Sequence, residues 1–87
     1  MTVLLTIRRV LPAHRPVAEL LADWNAAGIR PQAVRRIGAT VVIAAFNAPD
    51  DEAPEDSVRR LSAAFERAFP GPHPIVIGAE IAERGAA

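Results

Sequence analysis

Two histidines and two arginines are the residues of this sequence best suited to acid–base chemistry or to anion binding. His14 and Arg15 lie between a predicted strand and a predicted helix, Arg36 lies near the end of another strand, and His73 lies in a proline-rich connection. An imidazole exchanges protons near neutral pH, and a guanidinium holds a carboxylate or phosphate with two hydrogen bonds. The four side chains predict a ligand site wherever the fold brings them together. The competing interpretation is that they are solvated loop residues.

The spacing of apolar residues predicts the elements that carry these residues, because strands and helices repeat their apolar positions at different intervals. Runs of β-branched and apolar residues predict four strands, over residues 2–10, 32–37, 40–47 and 75–81. Helical spacing of apolar residues predicts two helices, and their inward stripes are Val17, Leu20, Leu21 and Trp24 in the first and Val58, Leu61, Phe65 and Ala68 with Phe69 in the second.

Proline and glycine mark the ends of these elements. Pro16 and Pro54 suit the first turn of each helix, and Pro70-Gly71-Pro72 ends the second. Gly28 is expected in the left-handed conformation that ends the first helix. Gly38-Ala39 predicts a two-residue type II′ hairpin between the second and third strands.

The order strand-helix-strand-strand-helix-strand predicts a ferredoxin-like α+β sandwich. In this βαββαβ fold a four-stranded antiparallel sheet, in the order 4-1-3-2, carries both helices on one face. Residues 1–82 are expected to form one domain, and residues 83–87 a flexible tail. This topology brings His14, Arg15, Arg36 and His73 to one rim of the sheet.

The sheet face without helices is predicted to carry an interface with a second copy of the chain. Alternation along the first strand places Thr2, Leu4, Thr6 and Arg8 on this face, and a half-apolar bare face favours a partner. The fourth strand is an edge with one charged residue, which offers a second route to pairing. The residues predicted to form the dimer interface are Leu4, Thr6, Arg8, Val76 and Gly78. The alternative is a monomer whose bare face is curled and partly covered.

Composition excludes several classes of function. Ten basic and ten acidic residues give a net charge of zero, which disfavours nucleic-acid binding, and the central strands lack the paired aromatics of RNA-binding sheets. The absence of cysteine removes thiol chemistry and thiolate metal sites, and no ligand set predicts a metal or cofactor. No apolar run is long enough for a membrane helix. We expect a cytoplasmic protein of a bacterium with a GC-rich genome.

One stretch of the chain resembles a known family. Residues 15–21 and 25–29, followed by 33–36 and 40–43, resemble the pattern of ACT domains, which are small regulatory modules of this topology. The resemblance implies a homodimer, often with side-by-side sheets. It also implies binding of an amino acid or a similar effector near the loop before the first helix, where His14 and Arg15 lie.

These observations favour a small homodimeric binding or regulatory module that acts through protein association or a small anionic ligand. The alternative is a small cofactor-free enzyme, an isomerase, cyclase or monooxygenase, with His14 or His73 as the proton carrier; no other catalytic residue is predicted. An enzyme of this kind needs an internal pocket, whereas a binding module can have a filled core. A third possibility is a structural subunit that pairs repeatedly through its fourth strand.

Overall fold

A computed structural model describes residues 1–8, 16–72 and 74–82. Its elements, in chain order, are β1 (Thr2–Arg8), α1 (Val17–Ala26), β2 (Ala33–Arg36), β3 (Val41–Asn47), α2 (Pro54–Ala68) and β4 (Val76–Ala82). The predicted order of strands and helices is confirmed. The predicted end of the first strand beyond Arg8 and the predicted tail lie outside the described residues.

The four strands form one antiparallel sheet in the order β2-β3-β1-β4. The predicted α+β class, with a four-stranded antiparallel sheet and two helices, is confirmed. β1 and β3 lie in the middle, as the apolar composition of β3 predicts, and β2 and β4 are the edges. β2 is short and carries Arg35 and Arg36, two features that protect an edge from further pairing.

Alternation along the two central strands places one face of the sheet in the core. Val3, Leu5 and Ile7 of β1 are completely buried, and the intervening residues are not. β3 repeats this pattern with Val42, Ala44 and Phe46. Both helices contribute to the same buried cluster, α1 with Leu20 and Trp24 and α2 with Phe65. Both helices therefore cover one face of the sheet and leave the other face open.

Phe65 is the centre of an aromatic contact that joins the two helices to the sheet. Its ring lies edge-to-face with Trp24 of α1, with centroids 5.0 Å apart, and edge-to-face with Phe46 of β3, at 5.9 Å. Such pairs add about 0.5–1.5 kcal/mol to the burial of the rings. Trp24 is a core residue, as its place in the apolar stripe predicts. Its buried Nε1–H has no hydrogen-bond acceptor among the described residues.

The two predicted turns have different outcomes. Gly28 has a φ of 82°, so the left-handed end of α1 is confirmed, and the Ile29 N–H donates to the Trp24 carbonyl at 2.8 Å. The type II′ hairpin is wrong, because that turn requires a positive φ at Gly38 and Gly38 does not have one. Residues 37–40 instead connect the strands, and the N–H groups of Ile37 and Gly38 both donate to the Val41 carbonyl.

Within the described ranges, neither helix combines the length and the apolar character that crossing a bilayer requires.

Removal of the Phe65 ring tests the aromatic contact. We expect Phe65→Ala to lower the free energy of unfolding by about 3–5 kcal/mol, because it empties a completely buried site and breaks both ring pairs. Urea denaturation followed by circular dichroism measures the loss. Phe69→Ala is the control, since Phe69 is only partly buried and is expected to cost less. Equal losses for the two variants would contradict the central role of Phe65.

Replacement of Gly28 and, as a control, Gly71 by alanine measures how much stability depends on the left-handed backbone conformation that follows α1. A Cβ at Gly28 or at Gly71 meets no atom within 4 Å, but only Gly28 has a positive φ. We expect Gly28→Ala to destabilise the fold by about 1 kcal/mol through left-handed strain, and Gly71→Ala to be neutral within about 0.5 kcal/mol. Thermal denaturation of both variants measures the difference. A neutral Gly28→Ala would contradict the observed turn.

Candidate functional site

The structure describes one residue of the predicted rim site. Arg36 pairs with Val42 near the end of the sheet where β1 finishes. Because Val42 is a core residue, Arg36 lies on the helix-covered side, and its Nε is buried. His14, Arg15 and His73 lie outside the described residues. Their predicted meeting with Arg36, and the predicted role of His14 or His73 as a proton carrier, remain predictions.

A cleft of about 300 Å³ lies beside the connection that contains residue 73. Glu66 and Phe69 of α2, the Pro70–Pro72 turn, Pro74 and Ile75 line it. Glu66 is the charged side chain in this lining, and a carboxylate opposes the binding of an anion. The described part of this cleft therefore adds nothing to the predicted anion site.

The open face of the sheet is defined by the side chains that alternate with the buried ones. Directly paired residues share a face, so the pairing registers arrange the open face in rows that run across the strands β2, β3, β1 and β4. One row is Ala33, Ala45, Leu4 and Glu80, and the next is Arg35, Ile43, Thr6 and Gly78. Thr2 and Arg8 lie on the same face at its two ends. Of the residues predicted at the dimer interface, Leu4, Thr6, Arg8 and Gly78 lie on this face, and their part in an interface stays a prediction.

Val76, the fifth residue predicted in the interface, lies on the other side of the sheet. It pairs with the completely buried Ile7 and packs against the core. The register of β1 with β4 shifts between Thr6 and Ile7, where β4 contains an additional residue. The additional residue of this bulge reverses the alternation of sides along β4. Gly78 and Val76 therefore lie on opposite sides of the sheet, although they are two positions apart in the sequence.

Opposite charges lie at opposite edges of the open face. Arg35 on β2 and Glu80 on β4 are exposed, and neither forms an ion pair with a described residue. Between them lie the half-buried side chains of Leu4, Thr6 and Ile43. The face thus has a largely apolar middle, a cation on one edge strand and an anion on the other, with a further exposed cation, Arg8, at one end of β1.

A groove of about 390 Å³ lies on the helix side of the sheet. It runs between α2 and the connection from α1 to β2, and its apolar lining includes Ile29, Phe46, Leu61 and Ala64. Three arginines, Arg30, Arg60 and Arg67, also line it. Arg60 and Arg67 lie outside the apolar stripe predicted for the second helix, and no role is predicted for them from the sequence. Their seven-residue separation on one helix side was the available signal, but Arg30 joins them through the tertiary fold.

Glu52 fixes the orientation of one of these arginines. Its carboxylate accepts hydrogen bonds from Arg60 Nη2 at 2.9 Å and Arg60 Nε at 3.3 Å, and another from the buried Ser57 hydroxyl. The Arg60 hydrogen bonds, followed by that of Ser57, lower the pKa of Glu52 below its usual 4.5. The same pair raises the pKa of Arg60. The last residue of the acidic run thus bonds two side chains of α2 and does not cap the backbone N–H groups of the helix.

No three histidine or acidic side chains of the described residues lie close enough together to hold a metal ion.

Loss of the Glu52 charge is expected to reduce the pH dependence of stability. Because the folded pKa of Glu52 is lower than the unfolded value, its contribution is present above pH 4.5 and is lost as the pH falls through the folded pKa. We expect Glu52→Gln to lower the melting temperature near neutral pH and to make its fall below pH 4.5 shallower. Thermal scans from pH 7 to pH 3 measure both effects. Glu66→Gln on α2 is the control, and identical profiles for the two variants would contradict the role of Glu52.

No family model, curated protein or solved structure matches this chain. The resemblance to ACT domains therefore rests on the residues quoted for it, mainly the helix pattern and the Ala27-Gly28-Ile29 ending. Among the described surfaces, the open face and the groove lined by Arg30, Arg60 and Arg67, here called the arginine-lined groove, combine apolar and charged side chains.

Proposed function

We propose that this protein is a ferredoxin-like binding module that acts as a homodimer, with the open face of one copy packed against the open face of a second. The observation that carries the proposal is the apolar middle of this face between Arg35 on one edge strand and Glu80 on the other. A surface of this kind is complementary to itself after a two-fold rotation. Its role is association rather than catalysis.

The arrangement of side chains favours one orientation of the two sheets. A two-fold axis parallel to the strands places β1 opposite β3 of the second copy, and β2 opposite β4. Leu4 then faces Ala45, and Ile43 faces Thr6, so that each large side chain meets a smaller one. Gly78 has no side chain and leaves the flank of Thr6 accessible.

Charge favours the same orientation. Arg35 of each copy lies one row along the strands from Glu80 of the other, across sheets about 10 Å apart, and two long side chains span this separation. An axis perpendicular to the strands would instead place the two copies of Arg35 beside each other. Complementary pairs set the register of an interface, and like charges penalise the alternative.

Two further features favour the face over the edge of β4 as the contact. The bulge in β4 interrupts the regular ladder that edge-to-edge pairing needs. The face itself is roughly 20 Å by 20 Å, about 400 Å² when taken as flat, which is smaller than the roughly 800 Å² per partner of a standard interface. The dimer is therefore expected to be reversible, so that concentration controls assembly.

The enzyme hypothesis depends on His14 and His73. Both lie outside the described residues, and no described contact favours catalysis. The homodimer is the function that the described surfaces support best.

Charge reversal at the two edges tests the homodimer. Sedimentation velocity over micromolar to submillimolar concentrations is expected to show a monomer–dimer equilibrium for the unmodified chain. We expect Arg35→Glu or Glu80→Arg to weaken the dimer by about threefold to thirtyfold, because each converts two attractive pairs into repulsive ones. The double variant exchanges the charges and is expected to restore dimerisation.

Two controls make this test specific. Arg59→Glu makes the same change of charge on the exposed surface of α2, away from the open face, and is expected to leave the dimer unchanged. Leu4→Glu places a charge in the middle of the face and is expected to abolish the dimer without altering the circular dichroism spectrum. A monomer at every concentration, or a double variant no better than the single ones, would overturn the proposal.

A further inference from the structure

We propose that the arginine-lined groove binds an elongated organic dianion, a dicarboxylate with an apolar middle. The groove lies on the helix side of the sheet, between the connection from α1 to β2 and the side of α2 that carries Leu61 and Ala64. It is separate from the open face, and the proposal does not depend on dimerisation.

The groove has an excess of positive charge. Arg30 contributes from one wall and Arg60 and Arg67 from the other, and the described residues that line the groove include no carboxylate. Neither Arg30 nor Arg67 forms an ion pair with a described residue. Guanidinium groups that lack a partner carboxylate are the groups that recognise carboxylates with paired hydrogen bonds.

Arg60 is held in place by Glu52, and this pair does not use all of the N–H groups of its guanidinium. Glu52 accepts hydrogen bonds from Nε and Nη2 and leaves Nη1 without a partner among the described residues. A guanidinium that is already ordered loses less conformational entropy when a ligand binds. The groove therefore carries Arg60, whose charge Glu52 partly neutralises, together with Arg30 and Arg67. This total charge suits a ligand with two negative charges.

The spacing along α2 sets the length of the ligand. Arg60 and Arg67 are two helical turns apart, about 10 Å along the axis, and Ala64 lies between them on the same side. Leu61 is adjacent, and Ile29 and Phe46 complete an apolar surface. A ligand that reaches both arginines therefore needs an apolar body between its two anionic ends.

The size of the groove limits the ligand to a small molecule. Its volume of about 390 Å³ is near the lower end of the roughly 300–1,000 Å³ that ligand sites occupy. An unbranched eight-carbon dicarboxylate, octanedioate, matches this size and separates its charges by several methylene groups. Butanedioate has the same charge but is too short, and octanoate has the apolar body with one charge.

Fluorescence of Trp24 provides a direct measure of occupancy. It is the single tryptophan of the chain, and its ring contacts Phe65, which lines the groove. We expect octanedioate to change this fluorescence saturably and to release heat in calorimetry at submillimolar to millimolar concentrations. Butanedioate, octanoate and inorganic phosphate are each expected to bind at least about tenfold more weakly, since each lacks one of the contacts.

Variants of the groove arginines assign the site. We expect Arg67→Gln to weaken octanedioate binding by about tenfold, because it removes a charge-assisted contact to one end of the ligand. We expect Arg30→Gln to weaken binding as well, because it lowers the positive charge of the groove. Arg59→Gln on the other side of α2 is the matched control and is expected to bind as the unmodified chain does. Circular dichroism and thermal denaturation verify that each variant is folded.

Three results would overturn this proposal. They are the absence of octanedioate binding at millimolar concentrations, equal affinity for octanoate or inorganic phosphate, and unchanged affinity in a variant that combines Arg30→Gln with Arg67→Gln. Sedimentation of the same variants separates this site from the interface. The groove variants are expected to dimerise normally, and Arg35→Glu is expected to bind octanedioate normally.

Discussion

The alternation of side chains along β1 and β3 is the constraint on which the other surfaces depend. Every second residue of β1 is completely buried under the helices, and the registers carry this division across the sheet. A slip of one residue would place Val3, Leu5 and Ile7 in solvent and Leu4 and Thr6 under Phe65. The aromatic contact of Phe65 with Trp24 and Phe46 stabilises this register, because it packs both helices onto one face of the sheet.

The two sides of the sheet differ in charge as well as in packing. The open face carries opposite charges on its two edge strands, Arg35 and Glu80, and a further cation, Arg8, at one end of β1. The proposed dimer depends on the opposite charges of the edges. The groove on the helix side carries an excess of guanidinium groups, which suits an anion instead. A chain with no net charge can thus carry two surfaces of different local charge, because the charge of a surface depends on its own residues rather than on the total.

Much of the fold followed from local signals. Pro54 begins α2, and Gly28 ends the turn after α1, because these residues restrict or permit backbone angles wherever they occur. The buried stripe with Leu20, Trp24 and Phe65 followed from helical spacing. The turn after β2 was predicted wrongly, because Gly38 permits a left-handed conformation but does not require one. The side on which Val76 lies does not follow from simple alternation, because a bulge, which depends on pairing with β1, reverses the alternation along β4.

The sequence by itself determined the order of the elements, the alternation that leaves one sheet face without helices, and Leu20, Trp24 and Phe65 as residues with which the helices reach the core. These properties depend on periodicity and on the conformations of proline and glycine, which are local. The sequence did not indicate the complete burial of Ser57 in α2. Only the tertiary structure decided that Arg35, rather than Arg36, lies on the open face with Glu80, and that Arg30 meets α2 at a groove. Both outcomes depend on strand registers and helix packing, which bring together residues that are far apart in the chain, and no local pattern carries that information.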